Sequence, residues 1–312
     1  GYQNDQAFYQ KKNGLVDLNT YIYDKYWGLP PEEQADFYPS FWNQSVHPAY
    51  DNQRLGFALN RSMEVIFSNT TWAKELGFDR APKTPREFET QACAAASFNG
   101  DGTGGYILRN NASAVAAWTF AFGGDIVDES GTKYEFSSQA TINALTMLKR
   151  MYDNRCAFYW KGYPNTAFAS RRALFTQGST SGLPFYLSDL QKAGKGDQLE
   201  MIAIPYTTSE PRQNVYGGDI MIPATIPEHQ LAAWIFIKWF TSPKVQALWV
   251  KVSSYYPTRM STSGLIDSYM KKNPTWTNAF NLLPYGVFEP QLVSYDTVRD
   301  LVQNTFDKIM HS

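Results

Sequence analysis

The chain has 312 residues, 43% of them apolar and 16% aromatic, enough to fill one large or two ordinary cores. Lysine and arginine number 28 against 29 aspartates and glutamates, and no basic run stands out, so the sequence gives no footprint for nucleic acid or a lipid surface. The longest apolar stretches, such as Leu231–Ile237, which stops at Lys238, fall well short of the roughly 20 residues that span a bilayer.

In chain order, residues 1–22 read as a helix, and residues 31–45 as a second one starting on proline. Met63-Glu-Val-Ile-Phe67 alternates toward a short buried strand, followed by a short helix, 71–77, closed by glycine. Thr84-Pro-Arg-Glu87 has an N-cap threonine, proline at N1 and glutamate at N3. This is a capping box opening a helix that runs to about Ser97. Asn99–Gly105 lacks the alternating acidic ligands of a calcium loop and reads as a turn.

Residues 106–109 form a strand, 113–120 a helix, and 126–136 a hairpin turning at Glu129-Ser-Gly131. Ser138 caps a helix with Ile142, Leu145, Leu148, Met151 and Tyr152 on one face. A helical piece at 167–172, a strand at 173–176, a helix at 183–193 and strands at 201–204 and 217–222 follow. The remainder is mainly helical, over 228–240, 243–252, 265–272, 276–282 and 294–309. Alternating strands and helices predict an α/β architecture. No repeat or low-complexity linker is present, so a two-domain arrangement would be made by the chain crossing between lobes.

Enzyme chemistry finds little support. Gly178-Ser-Thr-Ser-Gly182 sits at a strand-to-helix turn, but a nucleophile elbow needs serine where Thr180 stands, and His229 at a helix start reads as a surface residue. As a binding element the same loop makes sense, because small hydroxyls and N–H groups at a helix start suit ligand oxygens. A carbohydrate hydrolase would need paired carboxylates. Glu64, Asp125, Asp128 and Asp219 are candidates that no spacing pairs. No phosphate loop, dinucleotide fingerprint or zinc-protease motif is present, so neither cofactor nor metal is expected. Cys93 and Cys156 either pair in an oxidising compartment or are two small buried thiols. The Asn-x-Ser/Thr sequences at Asn43, Asn60, Asn69 and Asn111 read as chance in a chain rich in these residues. Residues Gly1–Gln6 lack the basic start and apolar stretch of a secretory signal.

From Leu55 onward a series of segments falls in a familiar order. Gly56-Phe-Ala-Leu-Asn-Arg-Ser-Met-Glu-Val-Ile-Phe-Ser-Asn69 is followed by Ala81-Pro-Lys-Thr-Pro-Arg-Glu-Phe88 and Ala121-Phe-Gly-Gly-Asp-Ile-Val-Asp128. Then come Ala169-Ser-Arg-Arg-Ala-Leu-Phe175 with Gly178–Gly182, Tyr216-Gly-Gly-Asp-Ile-Met-Ile-Pro223, the stretch Pro227–Gln246, and Tyr255-Tyr-Pro-Thr-Arg259. In this order the chain resembles the family 1 extracellular solute-binding proteins of ABC importers, the group of maltose-, multiple-sugar- and glycerol-phosphate-binding proteins.

The resemblance implies a type II periplasmic-binding-protein-like fold of two hinged α/β lobes with the ligand in an interlobe cleft. Lobe 1 is expected at 1–108 and 224–262, and lobe 2 at 109–223 and 263–312. It implies a monomeric, non-enzymatic, periplasmic or extracellular protein, lipoprotein-anchored, that delivers a sugar, polyol or glycerophosphoester to permease subunits. Relatives begin with a signal and further β-α units, so roughly 40–60 residues of lobe 1 are expected ahead of Gly1.

Residue by residue, the resemblance points to Gln3, Asn60, Arg61 and Ser62, with Tyr255 or Tyr256, on lobe 1. On lobe 2 it points to Trp118, Phe122, Ser179, Thr180 and Ser181, with Gly217, Gly218 and Asp219 at a crossing. Aromatic faces and polar side chains match the apolar face and hydroxyl equator of a sugar. Core packing is the competing role for Trp118 and Phe122, and Arg61 would equally suit a phosphate. Cys93 and Cys156 fall, by this division, in different lobes near the hinge.

Overall fold

A computed structural model describes residues 1–131 and 133–312, and Thr132, inside the expected 126–136 hairpin, lies outside the described residues. The chain divides into two compact units. Unit 1 comprises Gly1–Ser62, Val215–Lys272 and Phe288–Val298; unit 2 comprises Met63–Asn214, Asn273–Val287 and Arg299–Ser312. The divisions expected at 108 and 223 therefore fall earlier, at 62 and 214. The reason is strand pairing: Ser62–Asn69 pairs antiparallel with Ala173–Ser179 and with Leu199–Ile202, which ties everything from Met63 to the sheet of unit 2.

That sheet is mixed. Gly104–Ile107 lies parallel to both Ala173–Ser179 and Ala157–Phe158, while Ser62–Asn69 runs against them on the far side of Ala173–Ser179. Every residue of Ser62–Asn69 is buried, as expected of a strand covered on both faces. Helix Pro85–Asn99 starts as the sequence predicts: Thr84 accepts from the Glu87 N–H at 3.3 Å, and the Glu87 carboxylate accepts from the Thr84 N–H at 3.0 Å. Its Phe88, Ala92 and Ala95 join Trp72, Tyr106, Trp118, Leu148, Met151 and Phe175 in one core. Ser138 caps Gln139–Asp153 as predicted. Asn69 and Asn111 also cap helices, accepting from the N–H groups of Trp72 and Ala114; the fully buried Asn69 has no room for a glycan.

Cys93 and Cys156 form a disulfide with Cα atoms 4.4 Å apart. Both belong to unit 2, so the bond does not join the units as the expected division implied. Between the two bridged segments runs Gly105, where a Cβ would stand 1.9 Å from the Cys156 carbonyl oxygen and 2.8 Å from that of Ala92. Only glycine lets helix and strand approach this closely.

Unit 1 departs more from expectation. The helix expected over 1–22 ends at Gln10, because Asn13 takes a left-handed φ of 50° and Leu15 then pairs with Pro223. The helix expected over 31–45 divides into Pro31–Ala35 and Pro39–Asn43, since Pro39 has no N–H to continue a helix. The strand expected at 217–222 shortens to Asp219–Ile220, paired with Phe57–Ala58. Helices Pro227–Phe240 and Pro243–Ser253 form as predicted, and Trp234 and Ile237 pack with Leu18, Ile22, Phe37 and Phe57. Among the described residues no helix is long and apolar enough to cross a membrane.

Candidate functional site

In unit 2 the parallel strands Gly104–Ile107, Ala157–Phe158 and Ala173–Ser179 end at one edge of the sheet, where ligands of open α/β sheets are held. Ile107 pairs with Phe158 and with Thr176. Arg109 and Trp160 lie two residues beyond that rung, and Ser179 three. The antiparallel strand brings Glu64 opposite Ser179.

At this edge the chain turns from strand to helix through Ser179-Thr180-Ser181. The Ser179 and Ser181 hydroxyls are 2.7 Å apart, and the Ser181 N–H donates to Ser179 Oγ at 3.3 Å. Thr180 is fully buried, and its Oγ1 accepts from the Met63 N–H at 3.2 Å. The two serines are half-buried, with hydroxyls that can serve as donors or acceptors, and the threonine fixes the turn they sit on.

Below the edge lies a saturated polar network. Tyr106 Oη donates to Gln177 Oε1 at 2.6 Å, Trp118 Nε1 donates to the same oxygen at 3.0 Å, and Gln177 Nε2 donates to the Ala114 carbonyl at 3.1 Å. Trp118 is 1% exposed and packs between Phe88 and Tyr106, with Phe122 half-buried against the same core. The Trp118 indole, expected to offer a ring face to ligand, packs in this structure within the core of unit 2. Tyr186, stacked on Phe67 with centroids 3.9 Å apart, shares a 2.7 Å hydrogen bond with Thr176 Oγ1. Burial pushes its hydroxyl up to about 12, and the charge of Glu64 adds to the shift while Arg109 opposes it. Burial likewise raises the Tyr106 hydroxyl, so both phenols stay neutral donors.

In unit 1 the structure brings together the other expected residues and binds several of them to one another. Arg61 is fully buried, donating from Nη2 to Asp219 Oδ1 at 2.5 Å and from Nε to Gln44 Oε1 at 2.8 Å. Asp219 Oδ2 also accepts from Gln6 Nε2 at 2.8 Å and from the Ser45 hydroxyl. Gln3 donates to the Glu289 carbonyl at 3.0 Å and accepts from Gln44 at 3.3 Å. Ser62 Oγ donates to the Tyr216 carbonyl at 3.3 Å.

Fully buried Tyr256 pairs with Arg61 through both backbone hydrogen bonds. Arg61, Asp219, Gln3 and Tyr256 are thus buried in unit 1, with the Arg61 guanidinium bonded to Asp219, Gln44 and the Asn60 carbonyl. Gly217 is held where a Cβ would meet the Asn60 carbonyl oxygen at 2.9 Å, a close approach that side chains would break. Exposed Gly218 and half-buried Asn60 and Tyr255 are the members of the set left with accessible surface.

His47 joins this network, with Nε2 2.9 Å from Gln6 Oε1. Burial lowers it to about 4, outweighing the opposing pull of the Gln291 backbone and Asp219. Arg109 and Trp160 were missed from the sequence. The signal that finds them is the parallel pairing of their strands, which no local pattern reveals.

A family model for bacterial extracellular solute-binding protein matches residues 2–278. No curated protein matches the sequence. Among solved structures the chain is similar to the sugar-binding protein MalE from the phytopathogen Xanthomonas citri, with a TM-score of 0.85 at 15% identity, covering 99% of this chain and 77% of that one. It is similar to the cyclic alpha-maltosyl-1,6-maltose binding protein from Arthrobacter globiformis, with a TM-score of 0.82 at 18% identity over 100% and 78%. UgpB from Mycobacterium tuberculosis, in complex with glycerophosphocholine, gives a TM-score of 0.75 at 18% identity over 98% and 81%. At such identities the likeness is one of fold, and it bears out the expected two-lobed α/β class.

Proposed function

We propose, from the premise that the chain belongs to the bacterial extracellular solute-binding proteins, that it is the solute-capturing subunit of an ABC importer and that its solute is a neutral carbohydrate or polyol. The observation that carries the ligand class is the Ser179-Thr180-Ser181 turn at the carboxyl edge of the parallel strands. Hydroxyl donors and acceptors on a rigid turn suit sugar hydroxyls, which donate and accept in turn. Sugar- and maltosyl-binding proteins among the similar folds support the same class. A glycerophosphoester solute, as in the similar UgpB, would draw on Arg109 at the same edge, since Arg61 is buried against Asp219.

The protein works as a monomer outside the cytoplasm, hands its solute to permease subunits, and catalyses no reaction on it. The test is a thermal-shift screen against mono- and oligosaccharides, polyols and glycerophosphodiesters, with product analysis after overnight incubation. Solute at a hundred times its dissociation constant stabilises by about 2.7 kcal/mol. Stabilisation by phosphoesters alone, by no compound in the panel, or accompanied by hydrolysis products would sink the proposal.

A further inference from the structure

Away from the Ser179–Ser181 turn, unit 2 carries a groove of ≈ 600 Å³, within the range of about 300–1,000 Å³ of small-molecule pockets. It lies where strand Leu199–Ile202, helix Pro274–Phe280 and the turn Leu283–Tyr285 meet. Ile202 and Leu282 contribute apolar lining, and Tyr206 and Tyr285 both line the groove. Tyr206 is half-buried, its backbone N–H donating to the Lys83 carbonyl at 3.0 Å; Tyr285 is 37% exposed and its hydroxyl donates to the Glu210 carboxylate. Along the rim, Asn278 Nδ2 donates to Glu200 Oε1 at 3.2 Å, leaving the carboxylate's other oxygen and the amide oxygen as acceptors.

We propose that this groove is a second saccharide site, holding one or two neutral sugar rings against Tyr206 and Tyr285 with their hydroxyls on Glu200 and Asn278. The pairing of tyrosine faces with a carboxylate and an amide matches the two surfaces of a sugar ring, one apolar and one lined with hydroxyls. An anionic ligand is disfavoured because the three carboxylates of the groove, Asp79, Glu200 and Glu210, outnumber its two cations, Arg80 and Lys83. The site goes beyond the solute site: its residues belong to other elements and share none of the contacts argued for capture. An open groove of this kind exchanges its ligand quickly, and its affinity is correspondingly weak.

The experiment is a maltose titration of protein with carbon-labelled tyrosine rings, followed by NMR in the wild type, in Tyr285→Ala/Asn278→Ala, and in Ser179→Ala/Ser181→Ala. The Tyr206 and Tyr285 signals are expected to shift saturably in the wild type and in the serine variant alike. The groove variant is expected to lose at least tenfold in affinity for the shift that remains at Tyr206, while keeping its thermal midpoint. Rings that do not respond to maltose, a groove variant that titrates like the wild type, or a stronger response to choline than to maltose would each overturn the assignment. Because the serine variant weakens the solute site and leaves the groove intact, while the groove variant does the reverse, failure of the groove and failure of the solute site are told apart.

Discussion

Reducing the Cys93–Cys156 bond frees a loop whose ends are 63 residues apart in sequence. On the chain-entropy account, closing a loop of that length removes about 14 cal/mol/K from the unfolded chain, or about 4 kcal/mol at 25 °C. For a unit the size of unit 2, each kcal/mol moves the midpoint by about 2–4 °C, so the expected drop is on the order of 10 °C. The assay is thermal unfolding by intrinsic tryptophan fluorescence, with and without reductant, thiols being counted to confirm reduction. Cys93→Ser/Cys156→Ser serves as a control that reductant leaves unmoved. Because neither cysteine belongs to the Ser179–Ser181 turn or to the strand that carries it, solute affinity of the double variant should stay within twofold of the wild type. A midpoint that moves by less than a couple of degrees on full reduction would refute the loop-entropy argument, and a large loss of affinity would show that the bond shapes the solute site.

Four further outcomes follow from the structure. His47, lowered by burial to about 4 from an ordinary 6.5, binds its proton more readily unfolded than folded; its contribution is intact above pH 6.5 and falls away between pH 6.5 and 4, by on the order of 3 kcal/mol in all, and urea titrations of His47→Gln should lack this part of the acid slope. Asp219→Asn strands the buried Arg61 without an anion and should cost about 3–5 kcal/mol in the same titrations, whereas a cost below one would mean the pair is solvated. Ser179→Ala/Ser181→Ala should weaken solute binding about 5- to 30-fold per lost hydrogen bond with the solute-free midpoint within a few degrees, while Trp118→Phe, read calorimetrically, should leave affinity unchanged because the indole serves the core.

What the sequence determined by itself was local. The Thr84–Glu87 capping box, the Ser138 cap, the helix 183–193 and the proline-started helices near 228 and 243 came out as read, because caps and apolar periodicity act within a turn or two of chain. The family was legible too, since ordered short segments add up along a chain even when each is weak. Three things were left to the tertiary structure. One is the partition of the chain: strand pairing moved its boundaries to 62 and 214 and put both cysteines in one unit. Another is the use of the polar residues. Arg61 and Asp219, 158 positions apart, are brought within 2.5 Å by the fold and paired there. The last is the sharing of an edge by Arg109, Trp160 and Ser179, which follows from parallel pairing across long crossovers. Charge and hydrogen-bonding capacity are written in the residue, but whether they are spent inside the protein or left for a ligand depends on neighbours far away in sequence.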